Sequence, residues 1–106
     1  MPKFLIEAAY TAEGLRGVQK DKASGRRDAV VKAVQGLEGK VEAFYFAMGK
    51  RDVVAIVELP DAVSAAALSL AVSSSGLVRT ATTALLGVEE IDRALAKKAS
   101  WRAPGA

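Results

Sequence analysis

The chain has 106 residues, 51% of them hydrophobic and 25% charged, which fits one globular domain and excludes a disordered segment. A net charge of +3 with no clustered basic face argues against a nucleic-acid partner, and no apolar run reaches the roughly 20 residues of a membrane span. His, Cys and Asn are all absent, which removes Ser-His-Asp and Cys-His nucleophile systems and imidazole- or thiolate-bound metal, haem and iron–sulfur sites. No metal and no cofactor is therefore expected. No secretory leader is visible, because Lys3 is followed by a short apolar run and then Glu7, so a cytoplasmic location is the expectation.

The first element is a strand over Lys3–Tyr10, with Phe4, Ile6, Ala8 and Tyr10 on one face and Lys3, Leu5, Glu7 and Ala9 on the other. Thr11 is an N-cap for a short helical turn, which Gly14, Gly17 and Gly25 weaken. From Ser24, a second potential cap, Ala29, Val30, Ala33, Val34 and Leu37 recur at helical spacing. Gly39 stands where a left-handed terminating residue is expected.

Two strands follow, Val41–Met48 and Val53–Leu59, both rich in β-branched and aromatic residues, joined by the turn Gly49-Lys50-Arg51-Asp52. Folding them about this turn places Glu42 opposite Glu58, Phe44 opposite Ile56 and Phe46 opposite Val54. Val41, Ala43, Tyr45, Ala47, Val53, Ala55, Val57 and Leu59 then share the other face. Both faces are apolar, so both need a covering layer.

Asp61 caps a helix over Ala62–Ser73, and Ser73-Ser74-Ser75-Gly76 ends it. A fourth strand spans Leu77–Leu86, with Val78, Thr80 and Thr82 on one face and Leu77, Arg79, Ala81 and Thr83 on the other. The last helix spans Val88–Ala99, with Glu89 and Glu90 early and Lys97 and Lys98 late, as the helix dipole favours. Residues 100–106 form an irregular tail.

With right-handed crossovers, the first strand lies beside the third and the fourth outside the first. The fold class is α+β: one domain over 1–106, a ferredoxin-like βαββαβ plait with a C-terminal helix and a four-stranded antiparallel sheet. Helices cover one sheet face. The other, carrying Phe44, Phe46, Val54 and Ile56, is expected to meet a second copy of the chain in a homodimer or higher oligomer.

The run FYFAMGKRDVVAIVELPD, with YTAEGLRG before it and LVRTATTALL after it, resembles the GYD domain family, small bacterial and archaeal proteins with a glycine, aromatic, aspartate signature after the second strand. The resemblance covers Lys3 to about Pro104. It implies similarity to the dimeric α+β barrels, in which sheets of two subunits pair, and it implies no reaction. Gly49 and Asp52 match the signature, while Arg51 stands where the aromatic is usual, so no role of that aromatic carries over.

Beside a purely structural module, whose sheet interface Phe44, Phe46, Val54 and Ile56 would fill solidly, two function classes remain. One is a homo-oligomer that binds a small anionic or apolar molecule, or serves an assembly role, without cofactor. The other is a cofactor-independent oxygenase or isomerase like some α+β barrels, working through Glu, Arg and Tyr. For catalysis the candidates are Glu42, Glu58 and Arg79. Facing carboxylates repel unless a proton or cation intervenes, and one of them could act as general base while Arg79 or Lys3 holds a substrate anion. The simpler reading of the pair is a salt-bridge network through Lys3 or Arg79. For ligand contact the candidates are Tyr10, Tyr45, Arg51 and Asp52, with Trp101 beside the tyrosines; core packing and turn formation are the simpler roles. Arg26 and Arg27, with Lys20 and Lys22, suit an anion at a helix start or form a solvated face.

Overall fold

Seven elements build the chain in the computed structural model, which describes residues 1–106. They are β1 (Lys3–Tyr10), α1 (Ala12–Gly36), β2 (Lys40–Phe46), β3 (Val53–Glu58), α2 (Ala62–Ser73), β4 (Val78–Leu85) and α3 (Val88–Ala96). The strands form one antiparallel sheet in the order β2-β3-β1-β4. This is the α+β, ferredoxin-like layout. The core sits between the sheet and the first two helices, where Phe4, Val34, Val57, Leu59, Ala65 and Leu68 are buried together.

The register of β1 follows the alternation in its sequence. Phe4 pairs with Val57, Ile6 with Ala55 and Ala8 with Val53, all facing the helices. The β2–β3 pairing departs from the expected one. A bulge between Val41 and Ala43 leaves Glu42 unpaired, so Lys40 faces Glu58, Ala43 faces Ile56, Phe44 faces Ala55 and Phe46 faces Val53. A one-residue slip moves each side chain to the opposite face. Phe44 and Phe46 therefore lie on the helix side, in edge-to-face contact at 5.7 Å between ring centres. They do not share a face with Val54 and Ile56, and the expected four-residue patch is corrected to one in which Val54 and Ile56 stand with Ala43 and Tyr45.

Local chemistry sets the helix ends. Thr11 accepts from the Gly14 N–H at 3.1 Å and Asp61 from the Ser64 N–H at 2.8 Å, as expected of both caps. α1 starts at Ala12 and is helical before Ser24, broken only at Lys22 (φ 69°, ψ 164°), so the expected fresh start at Ser24 is not formed. Gly14 is buried, and a Cβ there would collide with the Leu77 carbonyl oxygen; its value is close approach to β4. At the end of α1, Gly39 N–H bonds Val34 O and Glu38 N–H bonds Gln35 O, a Schellman motif whose left-handed residue is Glu38 (φ 62°). Gly39 is needed for space beside Glu58 O and Leu59 rather than for a positive φ. α3 is shorter than expected because Lys97 is already extended (ψ 138°), leaving Arg93 as the base of its last turn.

Candidate functional site

The small side chains of Ala8 and Ala55 leave the two layers incompletely filled. An apolar cavity of about 70 Å³ results. Its floor is Ile6, Ala8, Val53, Ala55 and Phe44, and its roof is Val30 from α1 with Leu68 and Val72 from α2. Ser69, Thr80 and Thr82 add hydroxyls to the wall, with Ser69 Oγ and Thr80 Oγ1 3.0 Å apart and Ser73 Oγ 3.2 Å from the same Thr80.

Tyr10, Arg26 and Val78 also line a second, more open hollow of about 270 Å³, together with Gly14, Gly17, Asp21, Ser75 and Leu77. Three residues common to both make them an inner slot and an outer vestibule. Arg26 is the one charged residue of the slot, and its Nη1 lies 3.3 Å from Asp21 Oδ2 in the vestibule. No Asp or Glu lines the inner slot. Such walls take a hydrocarbon or aromatic body, and the hydroxyls and guanidinium at one end can orient a polar or anionic head. Tyr10 is the residue lining the inner slot whose side chain can serve in general acid–base chemistry.

The residues expected at a site are scattered. Of the ligand-contact candidates, Tyr10 lines the cavity, whereas Tyr45 points to the opposite sheet face at 69% exposure and Trp101 lies exposed in the tail. Arg51 sits in the β2–β3 turn and makes no ion pair. Asp52 closes that turn: its Oδ2 accepts the Tyr10 N–H at 2.8 Å, its N–H bonds Ala8 O, and its carbonyl accepts Ala47 N–H, each of these two at 2.8 Å. The signature aspartate is thereby used in tying the end of β1 to the turn.

Of the catalytic candidates, Glu42 and Glu58 meet at Lys3, and Arg79 lies apart. Lys3 Nζ sits 2.7 Å from Glu42 Oε1, and the terminal ammonium lies 3.8 Å from Glu58 Oε1. The Lys3 amine is held above its ordinary value, first by the hydrogen bond to Glu42, then by the charges of Glu42 and Glu58. Arg79 pairs with Ala9 while Glu58 pairs with Lys3, six residues away along β1, so about 20 Å separates them. The salt-bridge reading holds for Lys3, and Arg79 takes no part in it. Arg27 pairs with Asp28 on the surface.

Leu68 and Ser69 were not singled out in the sequence, Val30 and Thr80 were read only as faces of their elements, and Arg26 was grouped with surface cations. A signal for them existed: Arg26 and Val30 are four apart on one helix face, and Val78, Thr80 and Thr82 alternate on the helix side of β4.

The far side of the sheet carries no element of the chain. Leu5, Ala9, Ala43, Tyr45, Val54, Ile56, Ala81 and Leu85 share it, with Glu7 near its middle and Lys3, Lys40 and Glu58 at one end. No helix is long and apolar enough to cross a membrane.

The family model described as the GYD domain matches residues 4–95, from the second residue of β1 into the last turn of α3. No curated protein matches the chain.

Proposed function

Because the chain belongs to the GYD domain family, we propose that it is a cytoplasmic, cofactor-free homo-oligomer that binds a small, largely apolar molecule with a polar or anionic head. The ligand lies in the slot between sheet and helices, with its head toward Tyr10 and Arg26. The observation that carries this reading is the slot itself: apolar walls, hydroxyls on one side, and a single cation at its junction with the vestibule.

The bare sheet face supports the oligomer. Four strands at about 4.8 Å spacing and eight residues at about 3.3 Å rise give a footprint of roughly 500 Å², or roughly 1,000 Å² when two such faces meet as in an α+β barrel. That reaches the threshold of a specific interface. Tyr45, Ile56, Leu5 and Leu85 are its largest apolar anchors.

The test uses 1-anilinonaphthalene-8-sulfonate, an aromatic anion whose bulk needs the slot of about 70 Å³ and the adjoining vestibule of about 270 Å³ together. The folded protein should bind it saturably. Val72→Phe, which fills the slot, should abolish that binding, and Arg26→Ala should weaken it about tenfold, the ~1.4 kcal/mol of one charge-assisted contact. Equal binding by all three proteins, each shown folded by circular dichroism, would place the probe elsewhere and sink the reading.

A further inference from the structure

Two helical surfaces of this chain are unpartnered, and they differ in kind. α2 has no Asp, Glu, Lys or Arg in its 12 residues, AVSAAALSLAVS, and apart from Ser64, Ser69 and Ser73 it is apolar. A helix of that composition is ordinarily buried on all sides. Only one side of it is, through Ala65 and Leu68, while Val63 and Leu70 stand at 76% and 71% exposure. α3 is amphipathic and has no buried residue at all. Val88, Ile91 and Leu95 follow one stripe, and Leu86 before the helix and Trp101 after it are exposed as well.

The two surfaces do not meet within one chain. Gly87 is extended (φ −73°, ψ 164°), so β4 runs on into α3 without reversing over α2. The result is an arm. The radius of gyration is 16.9 Å, against about 13 Å for a compact chain of this length. We infer that α3 docks across the outer face of α2 in a second copy of the chain, so that each copy supplies one donor and one acceptor. A two-fold pair satisfies both at once.

The sizes agree with this occupant. Five large exposed side chains at roughly 100 Å² apiece, on each of two arms, put on the order of 1,000 Å² of apolar surface into the symmetric pair. Alanines on α2 allow close helix approach. This exchange is separate from the bare sheet face, which lies on the other side of the sheet. A chain with both two-fold contacts closes as a tetramer of dihedral symmetry.

The chain has no cysteine, which makes cross-linking clean. Ala94→Cys is placed in one isotopically labelled batch and Ala67→Cys in an unlabelled one; the two are mixed and treated with a short bis-maleimide. The expected product joins one labelled and one unlabelled chain. A link formed only within single chains of the Ala67→Cys/Ala94→Cys double variant would overturn the exchange, and so would no link in either sample. Ile91→Glu should abolish the mixed link and halve the oligomer mass, while Ile56→Asp on the bare face should leave the mixed link intact. Retention of the link in Ile91→Glu would also overturn the proposal.

Discussion

Asp52 offers the sharpest test of what the family signature does. Its carboxylate is half-buried and accepts the Tyr10 N–H at 2.8 Å, beyond the end of the β1–β3 ladder. Asp52→Ala leaves that donor without its partner and removes a charge-assisted bond, a loss of about 2 kcal/mol. For a chain of 106 residues this corresponds to a fall in Tm of about 9 °C. Asp52→Asn keeps an acceptor oxygen at the same place and should lose less than about 1 kcal/mol. Urea titration followed by circular dichroism measures both, with an unchanged m-value showing that native compactness is retained. If Asp52→Ala falls within about 0.5 kcal/mol of the parent, the surface-substitution range, the turn-closing role is wrong. The signature aspartate would then have to be explained by ligand or partner contact.

Other expected outcomes follow from single positions. Glu38→Gly should stabilise the chain by about 1 kcal/mol, since it relieves a left-handed residue in the α1 Schellman motif; a loss of stability would contradict that geometry. Gly14→Ala should destabilise by about 1–3 kcal/mol because its Cβ meets the Leu77 carbonyl, whereas Gly17→Ala, with open space around it, should not. The Ser64 backbone N–H holds the Asp61 carboxyl below its ordinary value near 3.8, so its contribution is present above that pH and is lost as pH falls through the lower folded value. Acid titration of Asp61→Asn should lack that part of the unfolding curve. Lys3 works in the opposite sense: its contribution is full below about 10.5 and is lost as pH rises through the raised value, and Glu42→Gln should flatten that alkaline limb.

The layout was legible because β3 alternates cleanly between buried and half-buried positions and because Thr11 and Asp61 are strong caps, so periodicity and capping agreed on the same elements. β2 was misplaced for a physical reason. Its residues on both faces are apolar, so nothing in Val41–Phe46 penalises either parity, and the bulge at Glu42 decides it. The misreading of Gly39 has a similar origin. Glycine usually marks a left-handed position, but here crowding against β3 reserves residue 39 for glycine, and the strain falls on Glu38. The slot was partly hidden because it is assembled from four strands and two helices that are far apart in the chain. Pairing Glu42 with Glu58 drew attention to the bare sheet face, whereas the slot lies on the helix side. Once the bulge is included, Glu58 faces Lys40 and the apparent repulsion disappears.

The central claim, an oligomer with an apolar ligand between its layers, is tested most directly by native mass spectrometry of the purified protein, first under gentle and then under denaturing conditions. The account predicts a multiple of the subunit mass carrying an additional small molecule that is lost on denaturation. A bare monomer, or an oligomer of subunit mass alone that still fails to take up 1-anilinonaphthalene-8-sulfonate, would contradict it.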